Sequence, residues 1–282
     1  MGVQKKFCWT ITIQPNILLL KTCGFWPEEA FKLDFYTART VILIIIFFPV
    51  SLISQAANLF FVLDDLVALT GTIYLLLTEI MWALKMYYFV KNISLVKTLM
   101  KMLNHELFQP RDVGQVVLVQ PNLDSWKTIY QMFMVTALGG NLFWAAFPLF
   151  DTANGEKRLP FLAWYPYDTS ISPFYQITYV HQVLTYTYIG FTHINTDTFI
   201  AALNMYISSQ FDILCDNLKN LHFSNNVKAN LVKCIKHHWL ILRSQTPVRM
   251  SSLNVFYLSL ESFMAIVKTS WSYFALLQQV NS

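Results

Sequence analysis

The chain has 282 residues, of which 55% are hydrophobic, 16% aromatic and only 13% charged, with a formal net charge of +4. Mean hydropathy is +0.42. Soluble domains carry about 25% charged residues, so a single water-soluble domain could not hide this much apolar surface. Disorder, a collagen repeat and a disulfide scaffold are excluded by the richness in aromatics and by 8 Gly, 10 Pro and 4 Cys. What remains is an integral membrane protein.

The N-terminal segment, residues 1–37, predicts a cytoplasmic arm. Its ILLL run is too short for the core of a signal peptide. Within it, residues 4–33 read either as an arm lying on the membrane surface, with Trp9, Phe25 and Trp26 in the headgroup zone, or as a loosely ordered tail. Crossing a hydrocarbon core of about 30 Å takes about 20 apolar residues. Five stretches meet that need: Ala38 to Phe60, Leu66 to Val90, Thr128 to Phe150, Phe174 to Ser209 and Leu253 to Val280. They are apolar on all sides, as membrane helices are. The expected architecture is therefore an all-α, polytopic membrane helical bundle. Spans one to four occupy 38–209, cytoplasmic anchor helices 210–252 and the last helix 253–282.

Orientation follows from basic residues. Of the 20 Lys and Arg, sixteen fall in the N-terminal arm counted through Arg39 and in the segments 91–127 and 219–249. Only Lys157 and Arg158 fall in the alternate segments, while Lys85 and Lys268 lie inside spans. Short basic loops stay in the cytosol, which places the N-terminus inside. All four cysteines then fall on the reducing side. No CxxC pair suggests a metal, no cofactor motif is present, and the basic residues face anionic lipid rather than nucleic acid.

Several polar groups stand out. Glu79 lies 13 residues into the second span, roughly 20 Å deep, and either faces a hydrated cleft or bonds to a neighbouring helix. His181, Thr185 and Tyr188 share one face of the fourth span, as pocket lining or as a polar interhelical seam. Gly139 and Gly140, with Phe143 and Phe147, give the third span either a close-packing face or a small apolar cavity, which Tyr74 and Leu77 could share. The loop from Asp151 to Pro173, stiffened by Pro160, Pro166 and Pro173, is a lid over an outside pocket or an interfacial anchor. Between Gln210 and Arg243, two amphipathic helices flank Ser224-Asn225-Asn226. The adjacent His237 and His238 have poor metal geometry and read as part of a surface helix. With no HExxH, GxSxG, GxxxxGK[ST] or GxGxxG, catalysis has no recognisable footing.

Three stretches carry a resemblance. LPFLAWYPYDTSISPFYQITYVHQ resembles the outside loop and fourth helix of insect odorant receptors. LSLESFMAIVKTSWSYFALLQQV resembles their last helix, and CIKHHWLIL the stretch before their fifth. That resemblance implies seven spans with the N-terminus inside, and tetrameric cation channels formed with a shared co-receptor in the plasma membrane of olfactory neurons. It also implies a volatile odorant held in the outer half of the bundle. Pocket positions would be Tyr74, Leu77, Gly140, Phe143, His181, Thr185 and Tyr188. Pore positions would be Leu276 and Val280, one helical turn apart. One departure stands out: between CIKHHWLIL and SQTPVRMSSLNVFYLSLESF the family's two intervening spans have no counterpart, leaving about five spans here against seven. The alternatives are a shortened subunit that assembles without conducting and, further off, an unrelated small transporter. A transporter would show repeats or broken helices, and none is seen.

Overall fold

The computed structural model describes residues 7–30, 32, 34–150, 158–223, 226–245, 251–252 and 256–257. Among the described residues seven α-helices run in chain order: α1 Gln14–Cys23, α2 Phe35–Asn58, α3 Leu66–Lys91, α4 Ile93–Met102, α5 Val113–Phe150, α6 Phe174–Lys219 and α7 Val227–Gln245. The all-α membrane bundle expected from composition is the fold observed. By length and composition α2, α3 and α5 are able to cross a membrane.

Three helix ends have an identifiable chemical cause. Asp34 caps α2 by accepting from the Thr37 amide at 2.8 Å, and Asp65 caps α3 by accepting from Val67 and Ala68 at 3.0 and 3.1 Å. α1 ends at Gly24, whose φ of 91° lets the Gly24 and Phe25 amides turn back onto the Lys21 and Leu20 carbonyls. Thr40 packs directly against Gly24, so no side chain fits there.

Two spans continue into longer helices. The third was expected to start at Thr128, yet α5 begins at Val113 and continues unbroken through Pro121. The fourth span, Phe174 to Ser209, joins the first of the amphipathic helices expected after it, so that α6 runs 46 residues to Lys219. The polar residues that looked like boundaries are partnered sideways. Asn122 donates to Asp212 at 3.3 Å, and Gln115 donates to Asp216 and Asn217 at 2.8 and 3.0 Å. Mutual satisfaction lets both helices extend beyond the bilayer thickness as a pair.

α6 is the hub, packing against α1, α2, α3, α5 and α7. It is not among the three helices apolar enough to span by composition alone. Its polar residues instead point at neighbours: Thr178, Gln182, Thr185, Thr192 and Thr196 form a buried stripe at helical spacing. The outward faces of α2, α3 and α5 are rich in exposed Ile, Leu, Val and Phe, the chemistry that hydrocarbon tails accept.

The N-terminal segment is corrected on both of its readings. Its described residues are not loose, and Trp9, Phe25 and Trp26 are buried in the bundle rather than set out in a headgroup layer, at the end where the basic segments gather. Trp9 is fully buried and donates from Nε1 to the Phe108 carbonyl at 3.2 Å. Phe25 meets the Trp82 ring edge-on at 5.9 Å, and Trp26 meets Phe199 at 5.5 Å. Asn16 donates to the Asn195 carbonyl and to Thr198 at 3.2 and 2.9 Å, and Asn195 returns a bond to the Asn16 carbonyl at 2.9 Å. These aromatics look interfacial in sequence because a Trp-rich, polar-tipped segment suits either headgroups or a core whose carbonyls take the indole N–H.

The surface reading of His237 is corrected too. His237 is 2% exposed, paired through Nε2 with Gln210 Oε1 at 3.1 Å, and set against the Phe108 ring. Burial pushes its imidazole down to about 4, and Arg111, His105 and His238 add repulsion in the same direction. Of the expected last helix, only Phe256–Tyr257 are described, and they pair with Ser251–Ser252 as two-residue strands rather than as helix. Leu276 and Val280 lie outside the described residues.

Two outcomes follow from these contacts. Asn16→Ala leaves buried partners of Asn195 and Thr198 unsatisfied, at about 1–3 kcal/mol; limited proteolysis should then cut within residues 7–30 well before the wild-type chain is cut. For His237 the folded state refuses a proton that the undocked state accepts below about pH 6.5, so stability is lost as pH falls from about 6.5 to 4. Amide protection factors in α7 should drop by up to about tenfold per pH unit across that window, and His237→Gln should flatten the dependence.

Candidate functional site: a capped cavity beside a buried polar cluster

At the bundle end opposite the basic segments, residues 158–173 fold back over the helices instead of standing free. Gln182 on α6 does most of the holding. Its Oε1 accepts from the Phe161 amide at 3.1 Å, and its Nε2 donates to the Phe161 carbonyl and the Tyr165 hydroxyl at 3.0 and 3.1 Å. The Trp164 amide donates to the Ser54 carbonyl of α2 at 3.2 Å, and Trp164 stacks on Phe61 at 5.5 Å. Tyr167 and Thr178 share a hydroxyl contact of 2.8 Å. Between this cap and α5 lies a half-open cavity of about 490 Å³, lined by Trp144, Phe147 and Pro148 of α5 and by Arg158, Pro160, Phe161 and Leu162 of the cap. Pockets of about 300–1,000 Å³ with mostly apolar walls suit small organic ligands.

Phe161 is also the wall between this cavity and a polar cluster. Its ring lies 4.0 Å from that of Tyr186, centroid to centroid. The Tyr186 hydroxyl donates to Glu79 Oε1 at 2.7 Å and accepts from Gln55 Nε2 at 3.0 Å. Ser51 donates to the same Glu79 oxygen at 2.5 Å. One carboxylate thus ties α2, α3 and α6 together, and Glu79 is 1% exposed. Further along the seam, Asn58 donates to Thr72 at 2.9 Å and Trp82 to Thr192 at 2.8 Å. Toward the basic end, Lys85 pairs with Asp197, which also lies 3.5 Å from His193.

The seven pocket candidates divide into two groups. His181 contacts the Ile46 carbonyl at 3.2 Å, Thr185 is fully buried, and Tyr188 donates to the Cys23 carbonyl at 2.8 Å while packing on Phe47 and Trp82. These three face the seam between α6 and α2/α3. Tyr74 and Leu77 are 69% and 56% exposed on α3, and Phe143 is 65% exposed on α5. Gly140 has open space where a side chain would project. The structure does not bring this second group to the first. Ser51, Gln55, Gln182 and Tyr186 escaped the sequence reading. A signal existed: Ser51, Gln55 and Asn58 recur at i, i+4, i+7 in an otherwise apolar helix, the mark of one polar face buried against neighbours. Among the described residues no group of three metal-ligating side chains converges.

A polytopic helical membrane protein with a capped small-molecule cavity is the class these features define. A family profile described as 7tm odorant receptor matches residues 65–243. The chain is 27% identical over 212 residues to odorant receptor Or1 of Anopheles gambiae, covering 73% of this chain and 49% of Or1. It is 25% identical over 146 residues to odorant receptor 83a of Drosophila melanogaster, covering 51% of this chain and 32% of that receptor. The chain thus spans half or less of the length of these curated relatives. In fold it resembles the insect olfactory receptor OR5 from Machilis hrabei in complex with eugenol, with TM-score 0.70, 20% identity, and coverage of 84% of this chain and 64% of OR5. The same receptor without a named ligand gives TM-score 0.69 at 19% identity, again over 84% and 64% of the two chains. The chain belongs to the odorant receptor family, which is a membrane-receptor and not an enzyme family.

Loss of the Gln182 latch should be measurable. Gln182→Leu removes three hydrogen bonds to the cap and strands the Phe161 backbone groups, at about 1–3 kcal/mol. Hydrogen exchange across residues 158–173 should rise sharply while that of α7 stays unchanged.

Proposed function

We propose that this chain is a subunit of an odorant-gated cation channel in the plasma membrane, working in a tetramer with a co-receptor and detecting small volatile molecules. The supporting observation is the capped apolar cavity at the non-basic end of the bundle, of a size that suits an odorant. Eugenol, bound by the structurally similar OR5, is a ligand of the kind such a cavity would take. In this reading the basic segments face the cytosol and the cap faces outward. Of the expected pocket positions this reading keeps His181, Thr185 and Tyr188, which lie on α6 along the seam, and Leu276 and Val280 would face the pore, where an apolar ring gates by dewetting.

Apolar burial supplies most of the ligand's affinity. Gating requires that the ligand favour the open state over the closed one. The cap and the Tyr186 cluster offer a route for that preference, because both rest on α6. Co-expression with the family's co-receptor should give odorant-evoked inward cation current, and Phe161→Ala should shift the response curve. Normal surface delivery without current would overturn the channel reading. Co-purification with the co-receptor in that case would mark the alternative, a subunit that assembles without conducting.

A further inference from the structure

Among the described residues Glu79 is the only buried carboxylate, and no basic side chain is bonded to it. The membrane-embedded Lys85 is engaged by Asp197, and His181 by the Ile46 carbonyl. Glu79 Oε1 takes both available donors, Ser51 and Tyr186. Glu79 Oε2 and Gln55 Oε1 are buried without any hydrogen-bond partner. Both residues bond the same Tyr186 hydroxyl, so the two bare oxygens belong to one hydrogen-bonded cluster. An unpaired buried acceptor costs about 1–3 kcal/mol, and a charged one more. Two unmet acceptors in one cluster, in the middle of a helical seam, leave it short of a donor.

We propose that Glu79 and Gln55 form the polar anchor of the ligand site, and that the ligand class is a small protonated amine with an apolar tail. The ammonium group donates to Glu79 Oε2 and Gln55 Oε1 and supplies the countercharge the carboxylate lacks. The tail occupies the cavity under the cap, against Phe147 and Trp144. Phe161, which lines that cavity and lies on the Tyr186 ring, is the side chain that yields to join the two compartments. An alcohol reaches the same oxygens but brings no charge; an alkane satisfies neither.

This proposal rests on the odorant-receptor reading, and the test separates the two. The full chain, in lipid nanodiscs with empty nanodiscs as control, is dialysed at neutral pH against hexylamine, 1-hexanol or heptane, probes of equal heavy-atom count. Hexylamine should bind at least about tenfold more tightly than 1-hexanol, the ratio that one extra charge-paired contact of about 1.4 kcal/mol gives. Glu79→Gln should bring hexylamine down to the level of 1-hexanol and leave heptane unaffected. In the wild-type chain, dicyclohexylcarbodiimide labels Glu79, read by mass spectrometry, and hexylamine should protect it where heptane does not. That measurement decides the matter if the variant fails to fold. Equal binding of hexylamine and 1-hexanol, or labelling that hexylamine leaves unchanged, would overturn the amine anchor while the receptor reading stands. Binding of none of the three probes would overturn both.

Discussion

A bilayer interior offers no water to an unpaired polar group, and that constraint organises this molecule around α6. The helix carries more polar side chains than a lone span tolerates. It is held because each face meets a partner: Trp82 and Glu79 on α3, Ser51 and Gln55 on α2, Asn16 on α1, Gln115 and Asn122 on α5, and His237 on α7. Apolar residues fill the space between these bonds, and the remaining faces of the surrounding helices are left to lipid. The arrangement inverts a soluble core, with polar specificity inside and hydrocarbon outside.

The same logic separates the two ends of the bundle. At the basic end, Trp9, Phe25, Trp26, Trp82, Phe199 and Tyr206 form a dense aromatic core. At the other end a proline-stiffened cap closes over the helices, held by Gln182, by the Trp164 amide on Ser54 and by the Tyr167–Thr178 contact.

Composition and the spacing of apolar runs made the fold class legible, since about 20 residues per crossing is a geometric necessity. The start of α3 at Leu66 and of α6 at Phe174 could be read directly, because Asp65 and Pro173 mark them. The last turns of α6 showed in the helical spacing of Phe211, Leu214 and Leu218, but the first turns of α5 did not show, because Gln115 and Asn122 find their partners only on α6. The N-terminal aromatics were ambiguous for a related reason, as an indole fits a headgroup layer and a carbonyl-lined core equally well. In the site, Glu79 was visible by its charge alone. The rest of its cluster sat among ordinary Ser, Gln and Tyr side chains, whose convergence is a property of three helices and not of any one segment.

The unbroken length of α6 has one more consequence. At 1.5 Å per residue its 46 residues make a rod about 70 Å long, reaching from the cap to the α7 contact. A rod of that kind works as a lever: roughly one degree of tilt displaces its far tip by about 1 Å. A tilt at Tyr186 would therefore carry through to Gln210 and its His237 contact, with no break in the helix between them.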